Sequence, residues 1–304
     1  MNILVTGATG FIGTALVSRL TAGGHRVVPL RRGTAANPSE ATWNPETRQV
    51  HLPASIAFDA VVHLAGESIA QRWTAAAKVR IRASRVDATR LLSETLAGLP
   101  LPPRVLICAS AIGFYGDRGD ELLNEQSGPG TGFLADVCQA WETAAAPARE
   151  HGIRVVHLRL GIVLAAHGGA LARMVPPFRF GLGGRLGTGH QYWSWITLED
   201  LLGVVEWALH NEQVSGPVNT VSPEASTNAD FTAALARTLR RPALLPMPAF
   251  VVRGLFGEMG QQALLASTRV CPARLLGSGF GFRFPNLEAA LRQVLVSNPH
   301  SPYE

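Results

Sequence analysis

A glycine-rich run close to the start of the chain has the spacing of a phosphate-binding loop. It lies between an apolar segment typical of a strand, 2–6, and a segment with helical periodicity, 11–22. In such a loop the first glycine forms the tight turn, the second lets the backbone approach a pyrophosphate, and the third lets the helix pack on the strand. The first N–H groups of the helix then face the anion. The spacing therefore predicts a dinucleotide site formed by Gly7, Ala8, Thr9, Gly10, Phe11, Ile12 and Gly13.

Two arginines at the end of the second predicted strand indicate which dinucleotide binds. Domains of this kind that prefer NAD usually place an acidic residue there, which binds both ribose hydroxyls. This chain has Arg31 and Arg32 instead, and guanidinium groups can hydrogen-bond a 2′-phosphate and stack on adenine. We therefore expect NADP(H) rather than NAD(H). The alternative is that both arginines are solvated surface residues.

Alternating strands and helices must position these residues. The patterns predict strands at 2–6, 25–30, 59–64, 104–109, 154–160 and 217–221, and helices at 11–22, 74–96, 132–151 and 198–210. The alternation is typical of βαβ units, so we expect an α/β fold with a Rossmann-type, doubly wound parallel sheet. We predict an NADP-binding domain over 1–165 and a smaller substrate lobe over 166–304, with part of 195–222 returning to the sheet.

The composition argues against several classes of protein. Hydrophobic residues make up 47% of the 304 residues and charged residues 16%, as in ordinary globular proteins. We expect a cytoplasmic protein without a membrane segment, because no apolar run approaches the roughly 18 residues that a span needs. The formal charge of +5 is scattered rather than clustered, which argues against nucleic-acid binding. Three widely spaced cysteines, with no CxxC pair, argue against a disulfide framework or a metal site.

Several further motifs point to one superfamily. The glycine loop, the segment 63–66 (HLAG) and the segment 109–116 (ASAIGFYG) resemble the extended short-chain dehydrogenases/reductases, the branch of the NAD(P)-dependent epimerases and dehydratases. The segments at 65–69, 84–85, 133–142, 182–191 and 241–248 are similar to a poorly characterised subgroup, the epimerase family proteins with a C-terminal domain of unknown function. The resemblance covers almost the whole chain and implies an NADP-binding fold. It implies no particular reaction.

The resemblance also implies a proton-transfer pair that this chain lacks. In the superfamily, a tyrosine four residues before a lysine acts as acid and base, and the lysine lowers the phenol pKa and holds the nicotinamide ribose. The corresponding positions here hold Leu134 and Cys138, with Glu142 one turn further on. The single lysine, Lys78, lies two strands too early in the chain. The usual chemistry therefore cannot proceed in the usual way.

Three residues are candidates for the missing chemistry. Ser110 is a candidate hydrogen-bond donor to a substrate carbonyl or to the nicotinamide amide, although its offset from Tyr115 places Ala111 at the usual catalytic position. Tyr115 is a candidate displaced proton donor. Cys138 is a candidate acid/base, since a free thiol titrates at about 8.5. For each of them the alternative is a structural role, and a buried helical cysteine is more often inert packing.

Other cofactor contacts are expected around the strand ends. Small residues after the strand 59–64 let a dinucleotide lie across the sheet edge, which makes Leu64, Ala65 and Gly66 candidates. The resemblance implies contacts for Leu160, Gly161 and Ile162. It also implies a contact for Arg85, where relatives usually carry asparagine, unless this is a surface arginine. Glu67 is either a hydrogen-bond partner of the adenosine ribose or a cap of the following segment.

Two functions of different classes agree with this pattern. The first is an NADP-dependent epimerase or oxidoreductase that acts on a carbonyl or sugar-like small molecule with a non-standard proton donor. The second is a non-catalytic NADP(H)-binding sensor or regulatory protein. The lost dyad favours the second, and the retained polar and aromatic residues favour the first. The substrate and the oligomeric state do not follow from the sequence.

Overall fold

The computed structural model of the protein describes residues 1–296. Its strands are β1 (Asn2–Thr6), β2 (Arg26–Arg32), β3 (Ala41–Asn44), β4 (Gln49–His51), β5 (Ala60–His63), β6 (Val105–Ala111), β7 (Leu122–Leu123), β8 (Arg154–Leu160), β9 (Ile162–Leu164), β10 (Tyr192–Trp193), β11 (Trp195–Thr197), β12 (Gly216–Thr220), β13 (Ser226–Thr227) and β14 (Arg269–Val270). Its helices are α1 (Phe11–Ala22), α2 (Ala75–Ala97), α3 (Phe133–Thr143), α4 (Ala146–Glu150), α5 (Gly169–Arg179), α6 (Leu198–His210), α7 (Asn228–Leu239), α8 (Ala249–Phe256), α9 (Ala273–Gly277) and α10 (Leu287–Leu295). Ile112–Tyr115 forms a 3-10 turn after β6, and Gly260–Leu264 a π-helical turn after α8.

The large sheet has the order β12-β8-β6-β5-β1-β2-β3-β4. Every neighbouring pair is parallel except β3 and β4, which are antiparallel at one edge. The chain builds outward from β1 through β2 and β3, then returns to β5 on the other side of β1. In doubly wound sheets a ligand crevice lies at such a switch point, at the carboxyl ends of the strands. The predicted Rossmann-type parallel sheet is confirmed.

Both faces of this sheet are covered, which explains the almost continuous apolar character of its strands. On one face, side chains of β1, β5 and β8 pack with α1 and α6 in a single buried cluster. On the other face, side chains of the same sheet pack with α2 and α4. A third cluster joins α5, α7 and α10 with β10 and β11 and forms the core of the C-terminal part. The carboxyl edge of the sheet therefore lies between two buried cores.

The main differences from the sequence prediction have local causes. The predicted helix 132–151 is two helices, because Pro147 near the start of α4 lacks the N–H that would continue α3. The short strands β3 and β4 were not predicted, since three or four residues give too little periodicity to recognise. The second strand extends to Arg32 rather than Leu30, because Arg31 and Arg32 pair with β3.

The domain boundary expected at residue 165 stays a prediction, and residues 297–304 of the expected lobe lie outside the described part of the chain. β12 pairs with β8 in the large sheet, whereas β11 pairs with β9 in a separate two-stranded sheet. Within residues 1–296, no helix is both long and apolar enough to cross a membrane.

Candidate functional site

The glycine-rich loop 7–13 connects β1 to α1 and holds them close together. Gly7 adopts a positive φ of 66°, and a Cβ atom on it would lie 2.8 Å from the carbonyl carbon of Leu64, just after β5. A Cβ atom on Gly13 would lie only 2.0 Å from the carbonyl oxygen of Gly7. Glycine is required at both positions, because backbone atoms cannot rotate away as the end of a side chain can. Strand, loop and helix therefore form one closely packed unit.

The other side of this loop is open. Around Gly10, the only described atom within 4 Å of a Cβ position is the Gly7 carbonyl oxygen, at 3.2 Å. Helix α1 begins at Phe11 with no side-chain cap and no acidic residue in its first turn, so its first N–H groups and the positive end of its dipole are uncompensated. Thr9 and Gly10 are exposed, whereas Phe11 and Ile12 are half-buried. Residues 7–13, which we call the glycine cradle, thus fit a pyrophosphate in shape and charge.

Arg31 and Arg32 lie beside the glycine cradle at the end of β2. Because Thr6, the last residue of β1, is paired with Leu30, the two arginines extend β2 beyond the end of β1. Both are exposed, and neither guanidinium makes an ion pair or a hydrogen bond with a residue of the range 1–296. Both are therefore available to an anion at this side of the crevice.

A buried chain of polar side chains fixes the end of β5. The Thr6 hydroxyl accepts the N–H groups of Leu64 and Ala65, both at 3.1 Å, and lies 2.7 Å from Nδ1 of His63. Nε2 of His63 lies 2.9 Å from the Thr89 hydroxyl, which also accepts the Trp141 indole N–H at 2.8 Å. Burial lowers the pKa of His63 to about 4, so the ring is neutral. Sequence reasoning missed Thr6 and Thr89, because a single threonine in a strand or helix carries no recognisable pattern.

Glu67 is held by its own segment rather than left facing the crevice. Its carboxylate pairs with Arg80 at 3.1 Å and accepts a hydrogen bond from Gln71 at 3.0 Å. The hydrogen bond from Gln71, together with Arg80, lowers the pKa of Glu67. Its backbone N–H donates to the Ser84 hydroxyl at 3.0 Å. These contacts fit the structural alternative for Glu67; a contact with a ribose stays a prediction.

Arg85, on α2, lies beside the end of β5. A Cβ atom on Gly66 would lie 3.4 Å from the guanidinium carbon of Arg85, so the guanidinium lies against the backbone directly after β5. The same guanidinium lies over the ring of Trp141 on α3, 5.1 Å from its centroid. Arg85 is half-buried, not a solvated surface residue.

Ser110 belongs to a buried ion-pair network instead of facing the crevice. Its hydroxyl is 2% exposed and donates to Oε1 of Glu142 at 2.7 Å. Glu142 in turn accepts two hydrogen bonds from Arg159, both at 2.8 Å, in a bidentate pair. Ala111, the next residue of β6, is partly exposed. The roles expected for Ser110 in catalysis and cofactor binding stay predictions, and this geometry disfavours them, because its proton is directed at Glu142.

Tyr115 completes the same network. Its hydroxyl accepts from Nη1 of Arg159 at 2.9 Å and lies 2.7 Å from Oδ1 of Asn219 on β12 and 2.9 Å from the carbonyl oxygen of Asn124. Burial raises the pKa of Tyr115, which the nearby Arg159 offsets only in part. The side chain is fully buried. A role as proton donor stays a prediction, but every hydrogen-bonding position of the hydroxyl already has a protein partner. We call Ser110, Tyr115, Glu142, Arg159 and Asn219 the Arg159 network.

Cys138 lies on the face of α3 that packs against the 3-10 turn. A Cβ atom on Gly113 would lie 3.3 Å from Cβ of Leu134 and 3.8 Å from Sγ of Cys138. Burial, followed by the nearby Glu142, raises the pKa of Cys138 to about 12. The thiol is therefore protonated at neutral pH and a poor base. This geometry fits the packing alternative, and an acid/base role for Cys138 stays a prediction.

The residues after β8 lie between the sheet and the C-terminal part. A Cβ atom on Gly161 would lie 2.6 Å from the carbonyl oxygen of Ser194 and 2.8 Å from Cγ1 of Val221. Ile162 begins β9 and donates its N–H to the same Ser194 carbonyl at 2.9 Å. Packing therefore explains the glycine at this position. Leu160, Gly161 and Ile162 are only partly buried, and their cofactor contacts stay predictions.

The comparisons with known proteins agree with this crevice. A model of the NAD dependent epimerase/dehydratase family matches residues 3–221, and a model of a domain of unknown function, DUF1731, matches residues 247–294. An epimerase family protein of Mycobacterium bovis is 43% identical over 290 residues, which cover 95% of this chain and 96% of the relative. The human epimerase family protein SDR39U1 is 38% identical over 300 residues, covering 97% and 100%. The chain belongs to the NAD dependent epimerase/dehydratase family, and the predicted subgroup is confirmed.

Solved structures share the whole fold. The human epimerase family protein SDR39U1, crystallised with NADPH, matches with a TM-score of 0.86 at 36% identity, covering 97% of this chain and 99% of that one. UDP-glucose 4-epimerase of Thermotoga maritima, solved with UDP-glucose, matches with a TM-score of 0.76 at 18% identity, covering 97% of each chain. The second likeness concerns the fold alone. Among residues 1–296, no group of three or more His, Cys, Asp or Glu side chains could hold a metal ion.

Proposed function

We propose that the protein binds NADP(H) in the glycine cradle and acts as an epimerase or oxidoreductase on a carbonyl or sugar-like small molecule. The observation that carries the cofactor choice is the end of β2, where Arg31 and Arg32 are exposed, have no described partner and replace the acid typical of NAD-specific domains. NADPH in the crystal structure of the human relative supports the same choice.

Each part of the crevice has a separate task in this proposal. The cradle holds the pyrophosphate on the open N–H groups of α1, and the two arginines hold the 2′-phosphate. The backbone of Leu64, Ala65 and Gly66, fixed by Thr6 and His63, supports the dinucleotide across the strand ends. When bound, NADP(H) supplies or takes up a hydride. Ser110 and Tyr115 direct their hydroxyls at protein partners, so their roles in the proposal are to position the turn after β6.

A second candidate is binding without turnover, as a sensor of the NADP(H) pool. The specific observation in its favour is α3, where Leu134 and Cys138 stand in place of a proton-transfer pair. Leucine carries no proton to transfer, and the pKa of Cys138 is raised to about 12 by burial. Burial therefore disfavours proton exchange at Cys138 near neutral pH, which supports this second candidate.

The cofactor choice is tested by fluorescence titration with NADPH and NADH. We expect Arg31→Asp to weaken NADPH binding by a factor of ten or more, about 1.4 kcal/mol, because the new carboxylate repels the 2′-phosphate, and to change NADH binding far less. Arg26→Asp is the matched control: it is an exposed arginine at the opposite end of the same strand. Equal losses for both nucleotides would overturn the choice of NADP(H).

Turnover distinguishes the two candidate functions. NADPH oxidation is followed with panels of aldehydes, quinones and nucleotide sugars. Conversion of each compound to an epimer is followed by chromatography, because an epimerase regenerates its cofactor in every cycle and causes no net NADPH oxidation. Oxidation or epimerisation of one class that saturates with substrate and is lost in Gly13→Ala, which obstructs the glycine cradle, supports the enzyme. Tight NADPH binding with no turnover on any of these classes supports the sensor. If the protein binds neither nicotinamide nucleotide, both functions are wrong.

A further inference from the structure

Arg85 is a partly buried cation whose hydrogen-bonding capacity is mostly unused. Among residues 1–296, only its Nη1 atom finds hydrogen-bond acceptors, the Ile81 carbonyl oxygen at 3.2 Å and the Ser84 hydroxyl at 3.4 Å, both on its own helix. A guanidinium has five N–H donors, and those on Nε and Nη2 have no acceptor within residues 1–296. Burial lowers the pKa of Arg85, with Cys138 and Glu67 opposing this only in part.

No carboxylate in the described part of the chain forms an ion pair with Arg85. Glu67, the acidic group whose charge acts on Arg85, is engaged by Arg80 at 3.1 Å. Arg85 instead lies against the Gly66 backbone, and its guanidinium makes a cation–π contact with the ring of Trp141. A partly buried guanidinium with unused donors is stabilised by a ligand that supplies acceptors. The arrangement therefore indicates a ligand with oxygen acceptors at this point.

The position of Arg85 identifies the part of the dinucleotide that it faces. The glycine cradle lies at the end of β1, and Arg31 and Arg32 lie on its β2 side. Arg85 lies on the opposite side, against the backbone after β5 and beside α3. A dinucleotide with its pyrophosphate in the cradle and its 2′-phosphate at β2 extends its nicotinamide half towards β5 and β6. That half offers ribose hydroxyls as acceptors.

We propose that Arg85, on α2, is the cation that binds the nicotinamide ribose. It takes the place of the superfamily's lysine, whose position on α3 is held here by Cys138. The inference rests on the proposed binding of NADP(H) and assigns to Arg85 one half of that cofactor. Arg85 is a cofactor-positioning residue. Its free donors bind ribose oxygens, and its contact with Trp141 keeps the guanidinium in place. The family's usual lysine on α3 is thus replaced by an arginine from a neighbouring helix. A guanidinium keeps its proton at every physiological pH, so Arg85 binds but does not transfer protons.

The test compares two ligands that share the adenosine half. NADPH contains both halves, and 2′,5′-ADP contains the 2′-phosphate but no nicotinamide ribose. The variant is Arg85→Met, which keeps an unbranched side chain in place of the aliphatic part of arginine and removes the charge and the donors. We expect calorimetry to show a loss of about tenfold or more in NADPH affinity, as for hydrogen bonds from a charged group, and a change of less than about twofold for 2′,5′-ADP. The same small change is expected for 2′-phosphoadenosine 5′-diphosphate, which adds the diphosphate without the second ribose; a tenfold loss for this ligand would assign Arg85 to the pyrophosphate and overturn its role at the ribose. Arg82→Met, an exposed arginine on the same helix, is expected to change neither.

The outcomes separate this inference from the proposed function. Unchanged NADPH affinity in Arg85→Met, or an equal loss for both ligands, would overturn the role of Arg85 while leaving NADP(H) binding intact. A wild-type protein that binds neither ligand would instead overturn the proposed function, and this inference with it. Thermal melting of each variant reports on folding. If Arg85→Met does not fold, Arg85→Gln, which keeps a polar group at the site, takes its place with the same expected selectivity between the ligands.

Discussion

The glycine cradle and the Arg159 network lie at the same edge of the sheet. The cradle is built from neighbouring residues, whereas the network is built from residues that are distant in the sequence. The cradle consists of seven consecutive residues, and its shape follows from backbone conformations that their spacing specifies. The network joins side chains from β6, the 3-10 turn, α3, β8 and β12, and two of its partners, Tyr115 and Asn219, are 104 residues apart. A cofactor site can therefore be recognised from short-range spacing, whereas a replaced catalytic dyad can be understood only from long-range contacts.

The largest loss of stability is expected from Glu142→Leu, in the Arg159 network. The change leaves Arg159, which is 3% exposed, as a buried charge without its bidentate partner. Removing one member of a buried pair costs about 3–5 kcal/mol, so we expect a loss of this size in the free energy of unfolding, measured by urea denaturation. The Ser110 hydroxyl also loses its acceptor.

Two controls show whether burial is the cause. Glu94→Leu removes the partner of Arg48, an exposed pair at 2.7 Å, and is expected to cost less than about 1 kcal/mol. The double variant Glu142→Leu/Arg159→Met removes both buried charges and should recover much of the loss. A loss for Glu142→Leu no larger than for Glu94→Leu would mean that the network contributes little to stability.

The strand and the helix that flank the cradle have the bounds predicted from the sequence, because every element of this unit is local. Strand, glycines and helix follow one another without interruption, so a single window contains β1, the turn and α1. Arg31 and Arg32 could be placed for the same reason, since strand β2 follows directly. By contrast, Glu142 was visible only as a residue one turn beyond the expected dyad, and nothing in the sequence indicated that it accepts from Ser110 and Arg159.

The contacts of Ser110 and Asn219 could not be derived from the sequence for a related reason. Ser110 and Ala111 are neighbours on β6, and alternation places their side chains on opposite faces of the strand. An alignment shifted by one residue therefore moves the expected catalytic position to the opposite face of the strand. In the structure Ser110 points to the buried Glu142, and Ala111 is partly exposed. Asn219 could not be predicted at all, because its role depends on β12 lying beside β8. Residues whose roles depend on strand order require the structure.

The second prediction concerns the cradle itself. In Gly13→Ala the new methyl group would lie 2.0 Å from the Gly7 carbonyl oxygen, and neither backbone can move without separating α1 from β1. Overpacking typically costs about 1–3 kcal/mol, and we expect a loss near the upper end of this range in urea denaturation, with NADPH affinity reduced more than tenfold. Gly128→Ala is the matched control, since nothing lies within 4 Å of its Cβ position. Retained stability and affinity in Gly13→Ala would show that the cradle tolerates a side chain.

The third and smallest effect concerns His63, which links the cradle to the buried interior through Thr6 and Thr89. Burial lowers the pKa of His63 to about 4, whereas an unfolded histidine titrates at about 6.5. The unfolded chain therefore binds the proton first as the pH falls, and the stability that His63 contributes is complete above pH 6.5 and is lost progressively towards pH 4. We expect roughly 2 kcal/mol of the loss between pH 7 and pH 5 to come from this residue.

Urea denaturation of His63→Gln as a function of pH measures that share. The variant is expected to be less stable at pH 7, because glutamine cannot bridge Thr6 and Thr89 as the imidazole does at 2.7 and 2.9 Å. Glutamine binds no proton, so the stability of the variant should fall less steeply on acidification. His157, which burial also shifts to a pKa of about 4, continues to titrate in this variant and accounts for the residual slope. Replacing the exposed His190 by glutamine leaves both buried rings in place and provides the control. Identical slopes in wild type and His63→Gln would mean that the His63 ring takes up its proton in the folded protein as readily as in the unfolded chain, and that the end of β5 is not as rigidly buried as its contacts indicate.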